Sequence, residues 1–255
     1  MSYDPRAMGA AAVTVRSVPT PGAPETAAVR SMFDRIAPRY DLLNRLLSAG
    51  VDRRWRRATV NALALPPSSK VLDVCTGTAD LLVEFLGRDE GHRGLGVDLS
   101  GEMLARGADK LRRHGLAARS GLVSGDAERL PVRDALFDGA LIAFGIRNVG
   151  DPLRALREIR RALKPGGRLV ILEFSTPPGL LGRAYRLYFE GILPRIAGLV
   201  SGDRAAYSYL PASVARFPDP AAFGRLMEEA GFAGVAWTRL TAGIAHLHCG
   251  EKRAV

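Results

Sequence analysis

The fold is decided by the ten-residue stretch VLDVCTGTAD, which runs from Val71 to Asp80. Its first residues, Val71–Cys75, are mostly apolar and predict a short buried strand. Gly77 then predicts a tight turn, and the residues after it predict the start of a helix. A strand followed by a glycine turn and a helix opens many α/β sheets, whose ligands bind at the carboxyl ends of the strands.

The same alternation of strand and helix continues on the C-terminal side of this stretch. We predict parallel strands at Val71–Cys75, Gly94–Leu99, Gly121–Ser124, Ala140–Phe144 and Arg168–Phe174. Two final strands are predicted at Val235–Leu240 and Ala245–Gly250, and the short Thr241–Gly243 segment between them predicts a hairpin. The sequence therefore predicts a Rossmann-like α/β fold with seven strands, mostly parallel, and an antiparallel C-terminal hairpin.

Four ranges describe the predicted domain organisation. Residues 1–27 are rich in Ala, Pro, Thr and Val without periodicity, which predicts a disordered tail. Residues 28–255 are predicted to form one domain that begins with helices over 28–66. Residues 175–217 interrupt the alternation with an apolar and aromatic insertion, for which we predict a lid over the substrate.

Composition excludes several classes of protein. The 255 residues are 47% hydrophobic and 24% charged, which is typical of a globular protein, and no apolar run reaches the roughly 18 residues of a membrane span. Two cysteines and four histidines are too few and too scattered to predict a disulfide framework or a metal site. We therefore expect a reduced, cytoplasmic compartment. The net charge of +10 favours anionic partners, or it reflects arginine-rich composition alone.

Acidic residues follow successive predicted strands and indicate a nucleoside-binding site. Asp98 lies 21 residues after Gly77 and is positioned to accept hydrogen bonds from ribose hydroxyls, and Asp126 follows the third strand, where an adenine would lie. The glycine loop has neither the G-x-G-x-x-G pattern nor a P-loop lysine, so it does not predict a polyphosphate site. Ribose and adenine contacts without pyrophosphate favour S-adenosylmethionine, with its methionine end near Asp73 and Thr78.

Several motifs give the chain a specific resemblance over about residues 29–252. They are Phe33–Asp41 with Trp55–Arg57, the loop around Gly77 and Thr78, Phe144–Val149, Leu163–Gly167, Leu172–Ser175, Tyr209–Pro211 and Gly243–His248. In these motifs the chain resembles the C-methyltransferase family of menaquinone and ubiquinone biosynthesis. The resemblance implies a class I methyltransferase domain, S-adenosylmethionine as cofactor and a prenylated quinol as substrate. Ala79 and Ala143 depart from the family pattern, which has glycine and serine there.

The resemblance also implies roles for individual residues. Asp73, Gly77, Thr78, Asp98, Asp126, Ala127 and Tyr40 are expected to contact the cofactor, with Tyr40 closing over it from the N-terminal helices. Arg147 is expected to stabilise the phenolate of the substrate and Asn148 to orient its ring oxygen. The alternative for Arg147 is a structural ion pair with Asp151. His246 and His248 are more simply interpreted as structural, and the Arg53–Arg57 cluster as a solvated helix face.

Three functions stay open at this level. The first is conversion of demethylmenaquinol to menaquinol, with the benzoquinol of ubiquinone biosynthesis as a close variant. An RNA methyltransferase is suggested only by the net charge, and no nucleic-acid partner is expected. A non-catalytic scaffold is disfavoured by the acidic residues at the strand ends. Peripheral contact with the inner face of the cell membrane and homodimer formation are left open by the sequence, as are ring type and prenyl length.

Overall fold

The computed structural model describes residues 15–16, 24–48, 50–177, 179, 182 and 204–254. Its helices are α1 (Pro24–Ile36), α2 (Tyr40–Leu47), α3 (Val51–Leu63), α4 (Asp80–Leu86), α5 (Gly101–Arg113), α6 (Pro152–Ala162), α7 (Arg204–Arg216) and α8 (Pro220–Glu229). Its strands are β1 (Val15–Arg16), β2 (Lys70–Val74), β3 (Arg93–Asp98), β4 (Ser120–Ser124), β5 (Phe137–Ala143), β6 (Leu163–Phe174), β7 (Phe232–Leu240) and β8 (Ala245–Lys252).

The strands form one sheet in the order β1-β4-β3-β2-β5-β6-β8-β7. β2 lies in the middle between β3 and β5, and both pairings are parallel. β8 runs antiparallel between β6 and β7, as predicted for the C-terminal hairpin. The sheet has one strand more than the seven predicted, because Val15–Arg16 pairs with Leu122 and Val123 of β4. The first described helix begins at Pro24 and not at Ala28.

Helices cover both faces of the sheet because successive residues of a strand point to opposite sides. Leu72 and Val74 of β2 face α6 and α8, where Ile159 and Phe223 are completely buried. Val71 faces the other side, against side chains of α3, α4 and α5. Each fully buried aliphatic side chain stabilises such a core by roughly 1.5–3 kcal/mol. The two layers hold the strand ends at fixed positions, where the loops carry the site.

The ends of β2 and β5 make unusually sharp turns. Cys75 and Phe144, which follow these strands, have φ angles of 55° and 59°. A side chain on Gly145 would place its Cβ 2.4 Å from the Cβ of Cys75, so only glycine fits there. Ala79, the departure from the family pattern in the cofactor loop, has a φ of 64°, where glycine is favoured.

The C-terminal half follows its sequence signals closely. The Asp219 side chain accepts a hydrogen bond from the Ala222 amide at 2.8 Å and caps α8, as Asp219-Pro220 predicts. Thr241–Gly243 forms the predicted turn between β7 and β8. The Trp55 ring nitrogen donates to the Thr241 hydroxyl at 2.8 Å and so joins α3 to that turn. In the described part of the chain, no helix is long and apolar enough to cross a membrane.

Candidate active site

A cleft of about 730 Å³ opens where the central strands end. Its walls come from α1 and α2 and from the loops after β2, β3, β4 and β5. They include Val29, Phe33, Tyr40, Gly77, Asp98, Met103, Asp126, Ala127, Gly145 and Asn148. Six of the nine residues predicted to form the site therefore line one cleft: Tyr40, Gly77, Asp98, Asp126, Ala127 and Asn148.

Asp98 joins the loops after β2 and β3. One carboxylate oxygen accepts a hydrogen bond from the Gly77 amide at 2.8 Å, and the other accepts from the Ser100 amide at 2.9 Å. Burial raises the pKa of Asp98, while these two amides oppose the rise. The Ser100 hydroxyl donates in turn to Asp34 of α1 at 2.5 Å. The carboxylate predicted to bind ribose is thus held in a fixed position at the cleft wall.

Asp126 and Ala127 form the far end of the cleft, beyond β4. The Asp126 carboxylate accepts a hydrogen bond from the Glu128 amide at 2.9 Å, which fixes the loop. Apolar side chains of Val97, Leu99 and Met103 line the same region. Apolar side chains together with a carboxylate are suited to a purine that carries an amino group.

Asp73 and Thr78 lie beside the main cleft, around a smaller cavity of about 310 Å³. Tyr40, Cys75, Gly77 and Ala143 line both spaces, which makes the two adjacent. Asp73 is almost completely buried and accepts a hydrogen bond from the Thr76 hydroxyl at 2.6 Å. Burial raises its pKa to about 7. The structure therefore divides the predicted cofactor residues between two connected cavities.

Thr78 connects the cofactor loop to the N-terminal helices. Its hydroxyl donates to Asp41 of α2 at 2.6 Å and accepts from the Lys110 ammonium of α5 at 2.9 Å. The same ammonium contacts Asp41 at 2.6 Å and also binds Asp80. These contacts hold α2, and Tyr40 at its start, against the loop. The Tyr40 ring packs edge-to-face on the Phe33 ring. Burial raises the pKa of the Tyr40 hydroxyl.

Arg147 is paired with Glu173 and not with Asp151. Its guanidinium donates to a Glu173 carboxylate oxygen at 2.7 Å and to the Ser213 hydroxyl of α7 at 3.3 Å. Both partners of the ion pair are buried, with side chains 7% and 1% exposed. Asp151 instead caps α6 through the Arg154 amide at 3.0 Å. The guanidinium lies over the Phe174 ring at 5.5 Å, and Arg147 is not among the described residues that line the cleft.

Asn148 reaches the cleft itself. Its amide nitrogen donates to the Phe144 carbonyl at 3.3 Å, and its oxygen accepts from the Tyr209 hydroxyl of α7 at 3.0 Å. Tyr209 therefore links α7, the last helix of the insertion over 175–217, to the residue predicted to contact substrate. Of the insertion over 175–217, residues 178, 180–181 and 183–203 lie outside the described residues.

Sequence reasoning missed three charged residues near the site, Arg56, Lys110 and Glu173. The side chain of Arg56 is 11% exposed, so the interpretation of Arg53–Arg57 as a solvated face is wrong for this residue. Glu173 had a usable signal, since it is an acidic residue within an apolar strand. Lys110 had none, because its partners lie 30 or more residues away. His248 is buried with its pKa lowered to about 4 by burial, as a structural histidine would be.

The donor set of the cleft fits S-adenosylmethionine. Carboxylates at the ends of β3 and β4 suit ribose hydroxyls and an adenine amino group, and Asp73 suits an ammonium. Among the described residues, Arg30 is the one cationic side chain that lines the main cleft, which does not suit a polyphosphate. When bound, S-adenosylmethionine supplies an electrophilic methyl group on a sulfonium.

Known proteins resemble this chain along most of its length. The sequence pattern of the ubiE/COQ5 methyltransferase family matches residues 22–252. A demethylmenaquinone methyltransferase of Thermus thermophilus is 47% identical over 87% of this chain and 100% of its own. The ubiquinone/menaquinone biosynthesis C-methyltransferase UbiE of Geotalea daltonii is 46% identical over 88% of this chain and 96% of its own.

Solved structures resemble the fold. A putative methyltransferase of Haloferax volcanii, solved in complex with the activator Trm112, has a TM-score of 0.64 at 18% identity and covers 87% of this chain and 97% of its own. An S-adenosylmethionine-dependent methyltransferase of Thermotoga maritima has a TM-score of 0.62 at 23% identity. It covers 88% of this chain and 100% of its own. These likenesses agree with the class I methyltransferase fold, and the family match and sequence identities go further: the chain belongs to the ubiE/COQ5 methyltransferase family.

Proposed function

We propose that this chain transfers the methyl group of S-adenosylmethionine to a ring carbon of a prenylated quinol, converting demethylmenaquinol to menaquinol. The observation that carries the proposal is the cleft at the strand ends. Carboxylates suited to a nucleoside and the Asn148 amide line the same cleft. The family match and the relatives named demethylmenaquinone methyltransferase support the same activity.

The cofactor would extend along the strand ends from β4 to β2. Asp126 and Ala127 would hold the adenine and Asp98 the ribose. Gly77 would let the chain approach the ligand closely, and Asp73 and Thr78 would hold the amino-acid end. Tyr40, which lines both cavities, would cover the cofactor from α2.

Carbon methylation requires a nucleophilic ring carbon. A quinol hydroxyl titrates near 10 like other phenols, so the site must favour its ionised form. Asn148 lines the cleft and carries amide donors for the ring oxygen. Arg147, the preceding residue in the chain, is a buried cation, and its ion pair with Glu173 neutralises much of its field. We therefore assign phenolate contact to Asn148 and a longer-range electrostatic contribution to Arg147.

A second substrate has support of its own. Relatives 46–49% identical to this chain are named ubiquinone/menaquinone biosynthesis C-methyltransferase. Both substrates present a hydroxylated ring and a polyprenyl tail, so the benzoquinol of ubiquinone biosynthesis is the candidate to test next. Methylation of RNA is supported by the net charge alone, and we expect none.

The substrate also suggests where the enzyme works. A polyprenyl tail partitions into the bilayer, and we propose that this protein is cytoplasmic and docks on the inner face of the cell membrane to reach it. Leu42 of α2 is 59% exposed, and α2 borders the cleft through Tyr40. Its net charge of +10 suits an anionic surface. Light scattering of the purified protein would establish whether it acts as a monomer or a homodimer.

Methyl transfer from labelled S-adenosylmethionine to demethylmenaquinone in detergent tests the proposal. We expect transfer to the reduced quinone and none to the oxidised one, because only the quinol yields a phenolate. Asn148→Ala should lower kcat by roughly 100-fold, as loss of a donor to an oxyanion does, and should leave cofactor affinity unchanged.

Other results would redirect the proposal. Without transfer to reduced demethylmenaquinone and with cofactor binding intact, the naphthoquinol assignment fails, and the reduced benzoquinol and then RNA are the next substrates. A protein that binds no cofactor would favour the scaffold. Transfer to the oxidised quinone would contradict the phenolate mechanism.

A further inference from the structure

The smaller cavity beside the cofactor loop contains a buried arginine. Arg56 of α3 lines this cavity together with Asp73, Tyr40 and Thr78. Its Nε is buried and has no hydrogen-bond acceptor among the described residues. A buried N–H without an acceptor is unfavourable, and native proteins rarely keep one without a reason. The side chain as a whole is 11% exposed, so part of it stays within reach of a ligand.

The rest of the guanidinium is held in place. One terminal nitrogen contacts the Asp80 carboxylate at 2.5 Å, and Asp52 lies 3.6 Å from Nε. The carboxylates of Asp80 and Asp52 raise the pKa of Arg56, so its positive charge is retained despite burial. Arg56 is therefore a cation of fixed orientation at the wall of the cavity. Such a fork matches the geometry of a carboxylate.

The charges of this cavity form a complementary pair. Arg56 supplies a cation, and Asp73 supplies a carboxyl group whose ionisation a bound ammonium would favour. Leu81 and Ala143 complete the lining with apolar surface. A small polar molecule that carries one carboxylate and one ammonium a few bonds apart fits this arrangement. Free α-amino acids and the amino-acid end of S-adenosylmethionine share this chemistry.

We propose that Arg56 binds the α-carboxylate of the cofactor while Asp73 binds its ammonium, so that Arg56 selects ligands with an intact amino-acid end. This assignment rests on the cofactor of the proposed function. The cavity shares Tyr40, Cys75, Gly77 and Ala143 with the main cleft, so one ligand can occupy both. A nucleoside without the amino acid would fill only the main cleft.

Calorimetric titration with three ligands tests the proposal without a methyl-transfer assay. S-adenosylhomocysteine has the whole amino-acid end, its decarboxylated form keeps the ammonium alone, and 5′-methylthioadenosine has neither group. Wild-type protein should bind S-adenosylhomocysteine about 10- to 100-fold more tightly than the decarboxylated form, as expected for hydrogen bonds between charged groups. In Arg56→Met this ratio should fall to about one, with the affinity for 5′-methylthioadenosine unchanged.

Arg57→Met is the matched control. Arg57 is the next residue of α3, its side chain is 70% exposed, and its nearest carboxylate, Glu84, is 3.9 Å away. This variant removes the same charge from the same helix and should keep the wild-type ratio. Arg56→Lys keeps the charge without the fork and should give an intermediate ratio.

Two results would overturn the proposal. One is a wild-type protein that binds the decarboxylated ligand as tightly as S-adenosylhomocysteine, which needs no variant and so does not depend on whether Arg56→Met folds. The other is an unchanged ratio in folded Arg56→Met. Failure of the proposed function is distinct, since it would appear as absent quinol methylation while these affinities stand.

Discussion

The ionisation of Asp73 should make the stability of the folded protein depend on pH, and this dependence tests the state of its buried carboxyl group. Burial raises its pKa in the folded protein to about 7, against 3.8 for the ordinary carboxyl group. Its protonated form therefore contributes stability that is complete below pH 3.8 and is lost as the pH rises through 7. The slope within this window is about 1.4 kcal/mol per pH unit.

Urea unfolding of wild type and Asp73→Asn from pH 5 to 8 measures this contribution. We expect Asp73→Asn to gain stability relative to wild type as the pH rises towards 7, because the variant has no carboxyl to ionise. The affinity of wild type for S-adenosylhomocysteine should rise over the same range, and that of the variant should not. A stability difference that stays constant with pH would contradict the assignment.

Variants of the buried ion pair between Arg147 and Glu173 distinguish a structural role of Arg147 from a catalytic one. Arg147→Met leaves the Glu173 carboxylate buried without its cation, and we expect a loss of about 3–5 kcal/mol in the free energy of unfolding. Arg147→Met with Glu173→Gln removes both charges and should recover most of that loss. Urea unfolding measures the stability of each variant. Methyl transfer to reduced demethylmenaquinone measures its kcat.

The double variant decides between the two roles of Arg147. If the guanidinium stabilises the phenolate, the refolded double variant should still have a kcat reduced at least tenfold. A double variant that folds and turns over like wild type would make Arg147 a purely structural residue.

The sequence predicted the residues at strand ends better than the residues that hold them. Asp98 ends β3 and Asp126 follows β4, so the parallel topology alone brings them to one cleft. Arg147 was identified from its motif, and the one ion pair considered for it, as the alternative to a catalytic role, was with Asp151, four residues along the chain. The actual partner, Glu173, comes from the neighbouring strand. Charge pairs across a sheet are set by register, which a single sequence does not display.

At the level of elements, Lys110 of α5 joins this helix to α2 and to the cofactor loop. Its ammonium contacts Asp41, Thr78 and Asp80, which belong to three different segments. Lys110→Met should destabilise the protein by about 3 kcal/mol, the lower end for buried pairs because Asp41 is 32% exposed. The affinity for S-adenosylhomocysteine should fall too, since Tyr40 and Thr78 lose their support.

A double-mutant cycle with Asp41→Asn checks this. If the two residues interact directly, the combined loss in unfolding free energy should be smaller than the sum of the single losses, by about 1 kcal/mol or more. Strictly additive losses would show that Lys110 does not fasten α2. Urea unfolding and calorimetry measure the two effects.

Most strand boundaries were predicted to within a residue or two, because β-sheet periodicity and glycine turns are local signals. β5, β6 and β7 begin earlier than predicted, at Phe137, Leu163 and Phe232. Their additional residues lie in register with neighbouring strands, Leu163 with Phe137 and Phe232 with Lys252. The two-residue strand Val15–Arg16 exists through its pairing with β4, so composition alone predicted disorder there.

For the whole molecule, the sequence established fold class and cofactor more firmly than substrate. The cofactor follows from residues on successive strand ends, which the fold brings together by topology. The residues predicted to contact substrate, Asn148 and Arg147, form hydrogen bonds with Tyr209 and Ser213 of α7, which lie more than 60 residues away in the chain. Their contribution was predicted only as a lid over 175–217.

The net positive charge of the whole molecule predicts binding to lipid vesicles. The excess of 36 basic over 26 acidic residues should bind the protein to vesicles of anionic phospholipid and not to zwitterionic ones. Each arginine near the surface contributes about 1 kcal/mol, and salt above roughly 0.5 M should screen most of it. We expect the docking face near the cleft, on the helices next to Tyr40, where Leu42 is 59% exposed.

Charge reversal locates that face. Arg53 and Arg54 are exposed on α3, beside α2, whereas Arg112 and Arg113 are exposed at the end of α5. Arg53→Glu with Arg54→Glu should weaken vesicle binding at least tenfold in a sedimentation assay, and Arg112→Glu with Arg113→Glu should weaken it less. Equal losses would mean that charge acts without a preferred face. Binding that persists in high salt would mean that apolar contact dominates, since screening leaves buried hydrophobic surface unaffected.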